Sequence, residues 1–153
     1  MSDPIVIVSA ARTPMGGFQG DFASLTAPQL GAVAIKAAVE RAGIDAAKVE
    51  EVVFGNVLQA GVGQAPARQA ALGAGLPLSA GCTTVHKVCG SALKSVMMVH
   101  DSLLAGSYDV GIAGGMESMT NAPYLLPKAR GGYRLGHGQM LDHMFFDGLE
   151  DAY

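Results

Sequence analysis

Thr83-Thr84-Val85-His86-Lys87-Val88-Cys89-Gly90-Ser91-Ala92-Leu93-Lys94 passes from a β-branched run into apolar residues at helical spacing, with a cysteine at the corner. Thr83–Val85 predicts a short strand, and Ser91–Ala105 predicts a helix that Gly106 ends. That helix carries Ala92, Leu93, Val96, Met97, Val99, Leu103 and Leu104 on more than one face, so it is expected to be buried. Cys89 therefore stands at a strand-to-helix elbow, followed by small residues that permit a sharp bend. The free N–H groups and dipole of a helix start favour negative charge on a sulfur placed there, and the same groups can hold an oxyanion. A nucleophile on such an elbow recurs in acyl-transfer enzymes. From position alone a second reading stays open, a small buried hydrophobe, because free cysteine is among the most buried residue types.

Working outward, the same alternation of elements repeats. Ile5-Val6-Ile7-Val8 is a continuous β-branched run, the pattern of a strand covered on both faces. Arg12-Thr13-Pro14-Met15-Gly16-Gly17 breaks it, and Thr26 with Gln29 then forms a capping-box signature. Leu30, Val33, Ala34, Ala37, Ala38 and Ala42 recur at helical spacing up to Gly43. Glu51-Val52-Val53-Phe54-Gly55 predicts a further strand, Ala65–Ala74 a helix closed by Gly75, and Val110–Ala113 the last strand. Strands alternating with helices argue for an α/β layer, mostly parallel, with helices on both faces. From Thr120 the pattern dissolves into Asn121-Ala122-Pro123, Pro127, Gly131-Gly132 and Gly136, with at most a short helix near Gln139–Phe146. The expected organisation is an α/β domain over 1–119 and the start of a loop domain over 120–153, so that the polypeptide reads as incomplete at Tyr153.

Composition bounds the function. Of 153 residues half are hydrophobic and 15% charged, enough apolar material for a core and too little polarity for disorder. A net charge of -3 gives no broad basic surface for nucleic acid. Pro4–Ala10 is too short to span a membrane or act as a secretion signal, which makes the cytoplasm the expected location. The two cysteines, Cys82 and Cys89, are too few for a disulfide framework or a zinc site, and Cys82 is expected to be buried structure. A dinucleotide-binding turn would need Gly-x-Gly-x-x-Gly after the first strand, where Arg12-Thr13-Pro14 stands instead.

Several motifs in register resemble thiolases. The stretch Thr83–Lys94 resembles their acyl-cysteine signature, and Gly114-Gly115-Met116-Glu117-Ser118-Met119 the loop beside it. Ala11–Gly20 resembles their opening loop, and Gly55-Asn56-Val57-Leu58-Gln59-Ala60-Gly61 their second strand and its exit. The resemblance implies a thiolase-like layered α/β fold and assigns Cys89 as the nucleophile that takes an acyl group from CoA, its own N–H helping to hold the oxyanion. The implied reaction condenses two acetyl-CoA to acetoacetyl-CoA and CoA, or runs in reverse as thiolysis. It uses no metal and no cofactor other than CoA itself, which enters as part of the substrate.

The same resemblance places Leu149, in Asp147-Gly148-Leu149, against bound CoA, although an isolated leucine reads equally well as core. It matches the basic island Lys128, Arg130, Arg134 and His137 to a loop that joins dimers into a tetramer, whereas charge clusters more often simply solvate a surface. The family's Gly-His-Pro histidine, second cysteine and Asn-Glu-Ala asparagine have no counterpart in this sequence, so the remaining carboxy-terminal part of a thiolase is an expected partner. Departures from the family pattern are His86, where asparagine is usual, and Ala92, where glycine is common. His86 three residues before Cys89 suggests a local dyad, but a residue on an incoming strand points where the pleat sends it. His100 and Lys94 read as ordinary polar positions on the helix. Two alternatives remain: a ketoacyl synthase, which shares fold and acyl-cysteine but fits the Gly115–Met119 run less well, and a noncatalytic interaction module.

Overall fold

The computed structural model describes residues 4–153. Its centre is a three-stranded parallel sheet made of β1 (Glu51–Gly55), β2 (Gly81–Val85) and β3 (Gly111–Gly115), in the order β2-β1-β3. Gly55 aligns with Val85 on one side and with Gly115 on the other, so the three strands end at one level. Around them lie α1 (Ala27–Ala42), α2 (Pro66–Gly73) and α3 (Ser91–Leu104). Thr26 and Gln29 cap α1 reciprocally: Thr26 N–H donates to Gln29 Oε1 (2.8 Å) and Gln29 N–H to Thr26 Oγ1 (3.4 Å). Gly43 ends that helix at φ +66°, a conformation that glycine adopts without a steric cost.

Side chains alternate across β1, and that alternation separates two faces. Val52 and Phe54 enter the core with Ile35 and Val39 of α1, Ala67, Ala70 and Ala71 of α2, and Leu76. The opposite face receives α3, which approaches so closely that a Cβ added to Gly55 would lie 2.7 Å from Ser91 Cβ and 2.9 Å from Ala92 N. Glycine at position 55 is what allows the first turn of α3 to rest on the sheet. Ser95, fully buried, ties the helix to β3 by donating to Gly114 O (2.8 Å). None of the helices among the described residues is long and apolar enough to cross a membrane.

Two expectations are corrected and a third is met in part. Ile5–Val8 pairs with no strand among the described residues, and Val6, Ile7 and Val8 are 64%, 84% and 65% exposed. A strand needs a ladder as well as a pattern, and this run faces β3 across an apolar cleft of about 930 Å³. The α3 helix is not buried all round. Only Ser91, Ser95 and Val99 are buried, while Leu93, Val96, Met97 and Leu104 are exposed, because small side chains bring one face onto the sheet and nothing among the described residues covers the other. Near Gln139–Phe146 the short helix is met in part: β4 (Tyr124–Leu125) pairs with β5 (Leu141–Asp142), and the chain turns helical from His143, continuing as a π-helical turn at Phe145–Leu149. There His143 N–H donates to Pro123 O (3.1 Å) and Met144 N–H to the Asp142 carboxylate (2.9 Å), satisfying donors at the start of the helical turn that have no partner within it.

Candidate functional site

Beyond the carboxyl ends of the three strands lies a pocket of about 380 Å³, open to solvent, into which Cys89 faces. Open α/β sheets bind their ligands at this edge. The turn that carries the cysteine is tightly specified. Gly90 N–H donates to Lys87 O (3.0 Å) and Ser91 N–H to Val88 O (3.1 Å). The buried Ser91 hydroxyl accepts from Lys87 N–H (2.8 Å) and donates to Val88 O (2.6 Å). This set of bonds holds Val88 at φ +45°, a left-handed conformation that costs a β-branched residue about 1–3 kcal/mol. The strain sits one residue before the sulfur and fixes the direction in which the chain leaves β2. A Cβ added to Gly115 would lie 2.9 Å from Ala92 Cβ, so Ala92 is accommodated because its neighbour across the sheet end is a glycine.

Two polar residues brace the pocket. Asn56, 1% exposed, follows β1, and Glu117 follows β3. The Glu117 carboxylate accepts from Asn56 Nδ2 (2.7 Å), Val57 N–H (2.9 Å) and Leu58 N–H (3.0 Å), stitching the exits of two adjacent strands together. Asn56 Nδ2 also donates to Met116 O (3.3 Å). Sequence reasoning placed both residues inside motifs and gave neither a role. The signal was there: a polar side chain just past the carboxyl end of each of two strands that lie side by side.

The far wall comes from the π-helical turn. Met144, Gly148 and Leu149 line the same pocket as Cys89, so the structure brings the two sequence-predicted site residues together. The turn is held by His143, whose side chain joins Ala60 N–H (3.2 Å) to the Asp147 carboxylate (2.5 Å). Neither member of that pair was singled out from sequence.

Other candidates lie elsewhere. His86 Nδ1 accepts from Val88 N–H (3.2 Å), so its ring folds back onto its own turn and it does not line the pocket. Cys82, partly buried, sits at the opposite end of β2 from Cys89. Burial pushes its thiol up, against the lowering effect of Arg68 and with a further upward push from Glu51. His100 is exposed and contacts Asp101 (3.3 Å). Lys128, Arg130, Arg134 and His137 are exposed between β4 and β5, away from the pocket. Among the described residues no group of three or more His, Cys, Asp or Glu could hold a metal ion.

A family model described as "Thiolase, N-terminal domain" matches residues 5–153. The chain belongs to the thiolase family. It is 57% identical over 149 residues to Acetyl-CoA acetyltransferase 1 of Arabidopsis thaliana, covering 97% of this chain and 36% of that protein. It is 54% identical over 150 residues to "Acetyl-CoA acetyltransferase ERG10, cytosolic" of Gibberella zeae (98% and 38%). It is 52% identical over 149 residues to the acetyl-CoA acetyltransferase of Cupriavidus necator (97% and 38%). The chain thus spans little more than a third of the length of these curated thiolase relatives. The family resemblance drawn from the sequence motifs and the α/β fold class both hold, with the amino-terminal thiolase domain as the common ground.

Proposed function

We propose that this chain carries the nucleophile of an acetyl-CoA C-acetyltransferase. The observation that supports the reading is the Cys89 sulfur on a strained elbow, opening into an apolar pocket whose opposite wall is Met144 and Leu149. The sulfur attacks the thioester carbonyl of acetyl-CoA; a carbon–sulfur bond to Cys89 forms, the bond to CoA breaks, and CoA leaves as its thiol. The Cys89 N–H helps hold the oxyanion of the tetrahedral intermediate, the N–H groups of Lys87, Val88, Gly90 and Ser91 being donated within the turn. A second acetyl-CoA, deprotonated at its methyl group, attacks the acetyl-cysteine, releasing acetoacetyl-CoA and returning the Cys89 sulfur; thiolysis is the same sequence reversed. Leu149 offers an apolar surface to the CoA arm.

The base for the Cys89 proton and the acid–base group for the second acetyl-CoA belong to the remaining carboxy-terminal part of a thiolase. No metal and no cofactor beyond CoA takes part in the proposed reaction. The assembly we infer is a cytoplasmic homotetramer, a dimer of dimers joined through the loop of Lys128, Arg130, Arg134 and His137.

The test is peptide mass spectrometry of the protein, as made in its source, after incubation with acetyl-CoA. One acetyl group should appear on the Cys89 peptide and be discharged by CoA. Cys89→Ala should abolish labelling with the fold intact, and labelling that survives it would overturn the assignment. Thiolysis of acetoacetyl-CoA is expected; turnover only with a malonyl thioester would instead assign a ketoacyl synthase. If neither donor acylates the protein, the noncatalytic module is the correct reading.

A further inference from the structure

We propose that His143 is a positioning residue that holds the pocket wall opposite Cys89 and thereby sets the affinity for the carrier portion of the acyl thioester; this rests on the acyl-transfer reading above. His143 is 5% exposed, and both ring nitrogens are engaged. Ala60 N–H donates to Nε2 (3.2 Å), so the ring proton resides on Nδ1 and is given to the Asp147 carboxylate (2.5 Å) one turn further on. The ring is a strut between the loop leaving β1 and the π-helical turn.

What the strut holds is the wall itself. Met144 lies between His143 and Asp147, Gly148 and Leu149 directly follow, and these three line the pocket with Cys89. The wall is pressed close: a Cβ added to Gly148 would be 3.1 Å from Leu58 Cδ2, and Leu58 is itself buried. Removing the ring leaves a hole where a buried side chain stood, an amide at Ala60 without its acceptor and a carboxylate at Asp147 without its donor. The wall then has no fixed position.

The sulfur does not share that dependence. Cys89 is placed by β2, the Lys87–Ser91 turn and α3, and among the described residues neither His143 nor Asp147 hydrogen-bonds to any of these. Loss of the strut should therefore remove binding that is equal in ground and transition states. That raises KM and leaves kcat in place.

The experiment uses the protein as made in its source, with acetyl-CoA and, as a donor lacking the carrier arm, S-ethyl thioacetate. Acetyl-CoA must first acylate the unmodified protein at Cys89; if it does not, the acyl-transfer reading fails and this proposal with it. His143→Ala is expected to raise KM for acetyl-CoA about tenfold while kcat changes by less than about twofold. Acylation of Cys89 by S-ethyl thioacetate should be unchanged. Asp147→Ala cuts the strut at its solvent side and should act in the same direction, whereas Asp147→Asn, which still accepts from Nδ1–H, should restore KM. Should His143→Ala fail to fold, the two Asp147 variants decide alone. An unchanged KM, equal losses with both donors, or an Asp147→Asn variant as impaired as Asp147→Ala would overturn the proposal.

Discussion

Two apolar runs of the same length class and composition meet opposite fates in this chain. Val52-Val53-Phe54 in β1 is at most 4% exposed and has a parallel partner on each edge. Val6-Ile7-Val8 is at least 64% exposed and without a ladder among the described residues. Their hydrophobicity does not distinguish them. What differs is that β1 sits between β2 and β3 with α1 and α2 on one face and α3 on the other, while the earlier run lies across a cleft from the outer edge of β3. A β-branched run states a readiness to pair; the partner decides whether the readiness becomes a strand.

The comparison can be broken by substitution at both places in the 153-residue chain. Phe54→Ala removes a buried ring packed against Gly31 and Gly114 and should cost about 3–5 kcal/mol in urea unfolding. Ile7→Ala, in an exposed side chain, should stay within about 0.5 kcal/mol of the parent. Comparable losses at the two positions would mean that Ile5–Val8 contributes to the core of this chain after all. Hydrogen exchange gives the same contrast at the backbone, with Val6–Val8 amides exchanging far faster than those of β1.

A smaller effect separates the elbow from the sheet it leaves. Ser91→Ala removes the hydroxyl that serves both Lys87 N–H and Val88 O and should cost about 1–3 kcal/mol, most of it from the unsatisfied groups left behind. The Val88→Gly change should act oppositely at the same turn, relieving the φ +45° strain and offsetting part of that loss in the double variant. If Val88→Gly gives no relief to Ser91→Ala, the strain assigned to the elbow is not present.

Much of this was legible before any coordinates. Capping residues at Thr26 and Gln29, the stop at Gly43 and the strand at Glu51–Gly55 are local signals, and each appears where its chemistry calls for it. The Cys89 elbow was legible for the same reason: strand, small residues and helix follow one another in sequence. What escaped was everything written by distant neighbours. The apolar surface of α3 predicted burial that its packing supplies on one face only, and the pairing of Tyr124–Leu125 with Leu141–Asp142 joins segments that carry no strand pattern of their own. Asn56, Glu117 and His143 acquire roles only when sequence separations of 61 and 83 residues are closed by the fold.

The two cysteines extend the opening contrast to one strand, since Cys82 lies near the start of β2 and Cys89 just past its end. Cys89 is exposed in an open pocket, whereas Cys82 is partly buried and its thiol is pushed up by that burial. A raised thiol pKa leaves less thiolate at a given pH, and only the thiolate attacks an alkylating reagent. Iodoacetamide at neutral pH should therefore label Cys89 at least about tenfold faster than Cys82, as read from the two peptides by mass spectrometry. Raising the pH should speed Cys82 as its thiolate fraction grows, while the access penalty from burial stays. Urea removes both effects at once, so the difference should vanish when the chain unfolds; a difference that persists in the unfolded chain would locate its cause in the local sequence and not in the place each cysteine holds along β2.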